Sequence, residues 1–105
     1  MKTKKQQEDA AIAVDQAQES GKISIGSWYA VVTVSPIYHG KLVGMTTEHY
    51  FLEEAAWVVE TGRLSEFVVD PQKTCKEAEY VGNIPVERGA VMALYPTPAG
   101  KITTR

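Results

Sequence analysis

The sequence is poor in the residues from which disulfides and metal sites are built. Among its 105 residues, Cys75 is the only cysteine, and His39 and His49 are the only histidines. One cysteine can form neither an internal disulfide nor a cysteine-based zinc site, and it is typical of a reducing compartment. The spacing of these three residues matches no zinc motif. We therefore predict two surface histidines, no metal site and no cofactor.

Long apolar runs are also missing. No stretch approaches the roughly 18 apolar residues of a membrane-spanning helix. The basic start, Met1-Lys2-Thr3-Lys4-Lys5, is not followed by the apolar region of a secretory signal. The sequence thus predicts a nuclear or cytoplasmic protein that is not secreted and does not bind a membrane.

The side chains that could carry catalysis do not form a recognisable set. Lys73 and Lys76 flank Cys75 and would lower the pKa of its thiol slightly, but no histidine base accompanies it at a known spacing. Glu53 and Glu54 are adjacent, and the glycines are scattered singly, unlike those of a phosphate-binding loop. We predict no catalytic residue and no enzyme activity. A small enzyme that uses Cys75 or a histidine is the less favoured alternative.

No block of the chain is strongly basic. It has 11 Lys and Arg against 13 Asp and Glu, for a formal charge of −2. Affinity for nucleic acid depends on cations that contact phosphates. The candidate RNA contacts are scattered, at Lys41, Arg63, Arg88, Lys101 and Arg105. A solvated surface is the favoured explanation for them, and we predict no DNA binding.

The composition changes near residue 22. Residues 1–22 are rich in Gln, Glu, Lys, Asp and Ala, with a stripe of small residues at helical spacing, which predicts a polar tail or a loose helix. The length of the chain suits one domain, so residues 23–105 are predicted to form a single α/β domain.

The first half of this domain is predicted to form a β-hairpin followed by a helix. Aromatic and β-branched residues from Trp28 to Val34 predict a strand that Ser35-Pro36 ends, and Lys41 to Thr46 predict a second strand with a bulge at Gly44. Apolar residues at helical spacing, with Gly62 as a stop, then predict a helix over residues 52–61.

The second half gives weaker signals. We predict a short strand at 66–69, a loop with a helical turn at 70–79, and a brief strand at 79–81. Residues 86–95 fit either a helix or a strand, and residues 100–105 either a frayed end or an edge strand. The predicted fold class is α+β, with a β-hairpin or short antiparallel sheet packed against one or two helices.

Two aromatic residues are candidates for a partner interface. Trp57 lies off the main apolar stripe of the predicted helix, so it either widens the core face or is an exposed anchor, and Tyr50 lies just before that helix.

The stretch at residues 28–64 is similar to the N-terminal domain of the tRNA-splicing endonuclease family, nearest to its non-catalytic structural subunit, subunit fifty-four. The segment Phe51 to Leu64 resembles the family helix pattern L-x-P-E-E-A-L-Y-L-L-E-R-G-x-L, with matches at Glu53, Glu54, Ala55, Glu60, Gly62 and Leu64. It departs from the family in lacking the proline before the glutamate pair and in the reversed order Gly44-Met45.

This resemblance implies an accessory role in tRNA splicing. The family's catalytic residues belong to a separate C-terminal domain, so none is carried over to this chain. The implied function is a non-catalytic assembly domain that helps position precursor tRNA, with other endonuclease subunits and precursor tRNA as partners. The alternative is a protein–protein interaction module, including a homodimer, without RNA binding, that uses Trp57 or the strand at 28–34 as its interface.

Overall fold

The computed structural model describes residues 23–105, which are built around one five-stranded antiparallel sheet. The strands are β1 (Trp28–Thr33), β2 (Ile37–Met45), β3 (His49–Glu60), β4 (Glu77–Glu87) and β5 (Val91–Thr97), and their order across the sheet is β4-β3-β2-β1-β5. Two one-turn helices, α1 (Leu64–Phe67) and α2 (Pro71–Thr74), lie between β3 and β4 in the chain. The predicted α+β class is confirmed. The prediction for residues 1–22 lies outside the described residues.

Strands β1 and β2 form the predicted hairpin. Their turn contains Pro36, whose carbonyl accepts a hydrogen bond of 2.7 Å from the Thr33 hydroxyl. The strand β2 begins earlier than predicted, at Ile37, and the pairing of β2 with β3 shifts between Leu42 and Gly44. The predicted bulge at Gly44 is therefore confirmed.

The helix predicted over residues 52–61 is wrong, because these residues belong to strand β3. A bulge at Glu53 and Glu54, where Glu54 has a φ of 51°, interrupts the regular alternation. Leu52 and Ala55 are consequently buried in the same core although they are three residues apart. The bulge imitates helical spacing, and pairing with both β2 and β4 keeps the segment extended.

The segment after β3 also differs from the prediction. The strand predicted at 66–69 is wrong, since α1 places the buried ring of Phe67 beneath the sheet. The helical turn predicted within 70–79 is confirmed by α2, which has Pro71 in its first turn and an Asp70 carboxylate that accepts a hydrogen bond from the Lys73 amide.

The last two strands are longer than the sequence indicates. Strand β4 starts before the predicted 79–81 segment and continues through Gly82, which has a φ of 80°. The ambiguous segment 86–95 contains the end of β4, a 3₁₀ turn (Arg88–Ala90) and most of β5. The strand alternative thus holds from Val91 onward.

Each face of the sheet carries its own core. The first core contains Tyr29, Val31, Leu42, Met45, Tyr50, Leu52, Ala55 and Val86. The second core contains Ala30, Ala56, Val58, Phe67, Cys75, Ala78 and Ile102. The alternation along β1, with Tyr29 and Val31 in one core and Ala30 in the other, follows from the two-residue period of a strand.

The end of the chain pairs with the sheet. Ile102 is fully buried in the second core, and Arg105 exchanges two backbone hydrogen bonds with Ala78 of β4, of 2.9 and 3.0 Å. The Arg105 guanidinium also donates to the Gln72 carbonyl at 2.6 Å. Of the two predicted alternatives, the edge-strand description therefore fits better than a frayed end.

No helix within residues 23–105 has the length and the apolar character needed to cross a membrane.

Candidate functional site

His39 is a core residue, so the prediction that it lies on the surface is wrong. Its ring is fully buried, stacks on Trp28 at 5.6 Å between centroids, and lies 2.8 Å from the Thr97 hydroxyl through Nε2. Its Nδ1 has no hydrogen-bond partner. Burial lowers the pKa of His39 from 6.5 to about 4, because the charged imidazolium would lose its hydration. The ring is therefore neutral at pH 7 and serves packing.

Cys75 is buried at the end of α2. Its Sγ lies 3.8 Å from the Glu60 carbonyl oxygen and 3.7 Å from that of Glu77. Burial raises the pKa of the Cys75 thiol, against a smaller lowering by Arg105, so the predicted lowering by neighbouring lysines is wrong. A thiol with a raised pKa is a poor nucleophile.

The titratable side chains of residues 23–105 include no group of three or more that could hold a metal ion. His49 is half-buried at the start of β3, with its ring 6.0 Å from that of Phe51. Neither histidine is hydrogen-bonded to Cys75. The geometry of the described residues therefore offers no assembled nucleophile and base.

The candidate RNA contacts lie at separate places. Arg88 is near the start of β3, where its guanidinium donates to the Thr46 carbonyl at 2.7 Å and lies 5.1 Å from the centre of the Tyr50 ring. Arg63 follows the end of β3 and lies 4.0 Å from the Glu66 carboxylate. A twelve-residue strand spans roughly 40 Å, so these two cations cannot contact one short RNA segment together.

The other cations do not complete a basic strip. Lys41 lies in β2 between Trp28 on β1 and Glu53 on β3, and the Lys101 ammonium lies 5.5 Å from the centre of the Tyr80 ring. Each of these two lysines lies beside an aromatic or acidic residue, and the two lysines are not neighbours. Arg105, in the same C-terminal segment as Lys101, donates to the Gln72 carbonyl at 2.6 Å. Apart from that pair, the five predicted contacts lie in different parts of the molecule.

Of the two predicted interface residues, only Trp57 is at the surface. Tyr50 is 7% exposed and belongs to the first core, so its assignment to an interface is wrong. Trp57 is 44% exposed, because it alternates along β3 with the buried Val58. Trp57 therefore does not widen a core face, and its role as an anchor for a partner stays a prediction. The strand predicted at 28–34 corresponds to β1 (Trp28–Thr33), which is paired on both sides and mostly buried, so only Val34 at its end offers an exposed surface.

The charged residues on the strand of Trp57 and on its neighbour β4 are glutamates, although Lys41 of β2 lies opposite Glu53 and Arg105 pairs with Ala78, between Glu77 and Glu79. Strands β3 and β4 together, named here the acidic ribbon, contain no Lys or Arg and six exposed glutamates, which are Glu53, Glu54, Glu60, Glu77, Glu79 and Glu87. Glu79 lies directly opposite Trp57, and Glu60 lies opposite Glu77. Like charges directly opposite one another destabilise a sheet, so this register has a cost that a bound cation would reduce.

The ribbon also has an apolar component. Trp57 and the exposed Val59 project from the same face of β3, and the half-buried Tyr38 of β2 lies beside Trp57 on the side away from Glu79. An aromatic side chain that is half exposed among carboxylates can supply apolar contact area while its neighbours supply charge. The arrangement suits a ligand that is both cationic and partly apolar.

The sequence did not indicate this ribbon because Glu53 and Glu54 fell within the helix predicted over residues 52–61. The glutamates of β4 were also separated from those of β3 by sixteen residues, from Thr61 to Lys76. The available signal was the absence of any Lys or Arg from both segments.

No protein-family model matches the chain, and no curated protein or solved structure matches it either.

Proposed function

We propose that this chain is a protein-interaction module whose acidic ribbon binds a segment of a partner that is rich in Lys or Arg. The observation that carries the proposal is the half-exposed Trp57 with Glu79 directly opposite it and with Glu60 and Glu77 at the same end of the strand pair. The sequence predicted this function as the alternative to a role in tRNA splicing. It assigns no activity to Cys75 or to either histidine.

The two components of the ribbon have different energetic roles. Tryptophan is enriched among the residues that contribute most to binding, and its truncation commonly costs about 2 kcal/mol or more. Exposed carboxylates contribute less to affinity, but they accelerate association and make it dependent on salt. We therefore expect Trp57 to determine the dissociation rate and the glutamates to determine the salt dependence.

Binding of a synthetic lysine-rich peptide, measured by calorimetry at two salt concentrations, tests the proposal. Trp57→Ala should weaken binding at least about tenfold, because the apolar anchor is lost. Glu79→Lys should weaken it chiefly at low salt, because a repulsive charge then faces the peptide. A pull-down with the tagged full chain, followed by mass spectrometry and RNA detection, would then identify the natural partner.

Two control variants lie away from the ribbon. Val34→Ala removes an exposed apolar side chain from the β1–β2 turn, and Glu48→Lys reverses an exposed charge between β2 and β3. Both should bind the peptide like the unmodified chain. Equal binding of a matched glutamate-rich peptide, or an unchanged affinity in the Trp57 variant, would contradict the proposal.

The role in tRNA splicing stays a prediction that rests on the resemblance. Its best-matched residues, expected in a helix, lie in strand β3 up to Glu60, and the five predicted RNA contacts, apart from Lys101 and Arg105, lie in different parts of the molecule. The same pull-down addresses it. Recovery of splicing-endonuclease subunits or precursor tRNA would favour an assembly subunit over a binder of basic segments.

A further inference from the structure

The two edge strands of the sheet, β4 and β5, are consecutive in the chain and are joined by three residues, Arg88–Ala90. In a flat sheet these strands would lie four strand spacings apart, or roughly 19 Å. A 3₁₀ turn rises about 2 Å per residue, so this connection spans less than about 10 Å. The sheet therefore curls, and the end of β4 approaches the turn between β1 and β2.

The curled sheet leaves an open groove of about 350 Å³ between these two segments. Val34 and Pro36 line it from the β1–β2 turn, and Pro85 and Val86 line it from the end of β4. Val86 belongs to the first core, so the groove opens on that face of the sheet, and Val34 is 85% exposed. These apolar residues give the groove the size and the polarity that suit an apolar side chain.

The charge of the groove favours a basic ligand. Glu87 is the one charged residue that lines it among those the structure describes. Arg88, the next residue in the chain, does not line the groove, because its guanidinium donates to the Thr46 carbonyl at 2.7 Å and lies 5.1 Å from the centre of the Tyr50 ring. A segment that combines basic and apolar side chains thus complements the groove in both respects.

Tyr38 joins this groove to the surface around Trp57. It packs against the first core, lines the groove, and lies directly opposite Trp57 in the pairing of β2 with β3. Side chains directly opposite one another in an antiparallel pair lie on the same face of the sheet. Trp57 and the groove are therefore neighbours on one face, with Glu79 beside the first and Glu87 in the second.

We propose that the groove is a second subsite for the basic segment, and that it takes an apolar side chain while a Lys or Arg of the same segment lies at Trp57 and Glu79. This inference rests on the proposed function, because it gives the same ligand a second point of contact. The groove begins one strand spacing from Trp57, about 5 Å, and an extended segment rises about 3.3 Å per residue. The apolar residue is therefore about two to four residues from the cation.

Calorimetry with two matched peptides and the full chain tests the second subsite. Both peptides are lysine-rich, and they differ at one central position, which is Leu in one and Ser in the other. The Leu peptide should bind at least about tenfold more tightly, because the groove removes its apolar side chain from water.

Two valine variants locate the advantage of the Leu peptide. Val34→Gln places an uncharged polar side chain in the groove, so it should reduce this advantage at least about threefold and leave the affinity for the Ser peptide unchanged. Val69→Gln is the matched control, because Val69 is 71% exposed and lies outside the sheet. It should keep the advantage in full.

Equal affinities of the unmodified chain for the two peptides would overturn the second subsite, whereas the proposed function would stand as long as both peptides bind. An advantage that Val34→Gln keeps in full, or one that both valine variants reduce equally, would also overturn it. If neither peptide binds, the proposed function fails together with the second subsite.

Discussion

At the residue scale, His39 is the titratable group whose pKa the fold shifts most among the described residues. Its ring lies between the aromatic side chains of Trp28 and Phe67, and its only hydrogen bond is to the Thr97 hydroxyl. No acidic side chain is bonded to it, so nothing compensates for the lost hydration of its charged form. The residue therefore links the stability of the molecule to pH.

We expect stability to fall as the pH is lowered from 6.5 to about 4. The folded pKa of His39 is about 4 and its ordinary value is 6.5, so the unfolded chain binds the proton first. The contribution of the neutral His39 ring to the free energy of unfolding is complete above pH 6.5. It decreases by about 3 kcal/mol as the pH falls through this window. Urea unfolding across the window, compared between the unmodified chain and His39→Phe, measures it.

His49→Gln is the matched control, because His49 is half-buried and makes no comparable contacts. It should keep the loss of stability seen in the unmodified chain, whereas His39→Phe should remove about 3 kcal/mol of that loss. Equal pH dependence in all three proteins would show that His39 is not buried as described.

At the element scale, the close approach of β2 and β3 depends on Gly40. A Cβ at this position would lie 3.0 Å from the Ala55 Cβ, 3.1 Å from the Ala55 Cα and 3.2 Å from the Glu53 carbonyl oxygen. The register of the two strands shifts at this point, between His39 and Lys41. Two of these three neighbours are backbone atoms, which cannot move without displacing β3.

We expect Gly40→Ala to lower the free energy of unfolding by about 1–3 kcal/mol, because the added methyl group overpacks the contact between two strands. Gly89→Ala is the control, since a Cβ there would meet no atom within 4 Å. It should change stability by less than about 0.5 kcal/mol. Chemical denaturation of both variants measures the difference, and equal effects would contradict the described packing.

At the scale of the whole molecule, the acidic ribbon and the β5 edge are separate. Trp57 lies on β3 and Met92 on β5, three strand spacings apart in the sheet, or roughly 14 Å. They share no strand, and β1 and β2 lie between them. A substitution at Met92 should therefore leave the binding of a basic segment unchanged.

We expect Met92→Lys to leave peptide binding unchanged, whereas Trp57→Ala should weaken it. Effects at sites this far apart usually add within about 0.5 kcal/mol. Peptide titration of both single variants and of the double variant measures the coupling. A loss of peptide binding in Met92→Lys would show that the β5 edge contributes to binding.

The sequence by itself determined the features that depend on neighbours in the chain. The β1–β2 hairpin follows from aromatic and β-branched residues with a proline in the turn, and the bulge at Gly44 from a glycine within a strand. The turn of α2 follows from Pro71 and its acidic cap, Asp70. In each case the residue's own backbone preference agrees with the final structure.

Only the tertiary structure decided the identity of β3 and the site that it carries. The apolar residues within 52–59 have helical spacing, but two flanking strands satisfy the backbone hydrogen bonds of this segment. The bulge at Glu53 and Glu54 places Leu52 and Ala55 in the same core. The same pairing exposes Trp57 and brings Glu79 of β4 directly beside it. Local preference is worth tenths of a kcal/mol per residue, whereas pairing on both edges and burial on both faces are worth far more, so distant contacts determined the outcome.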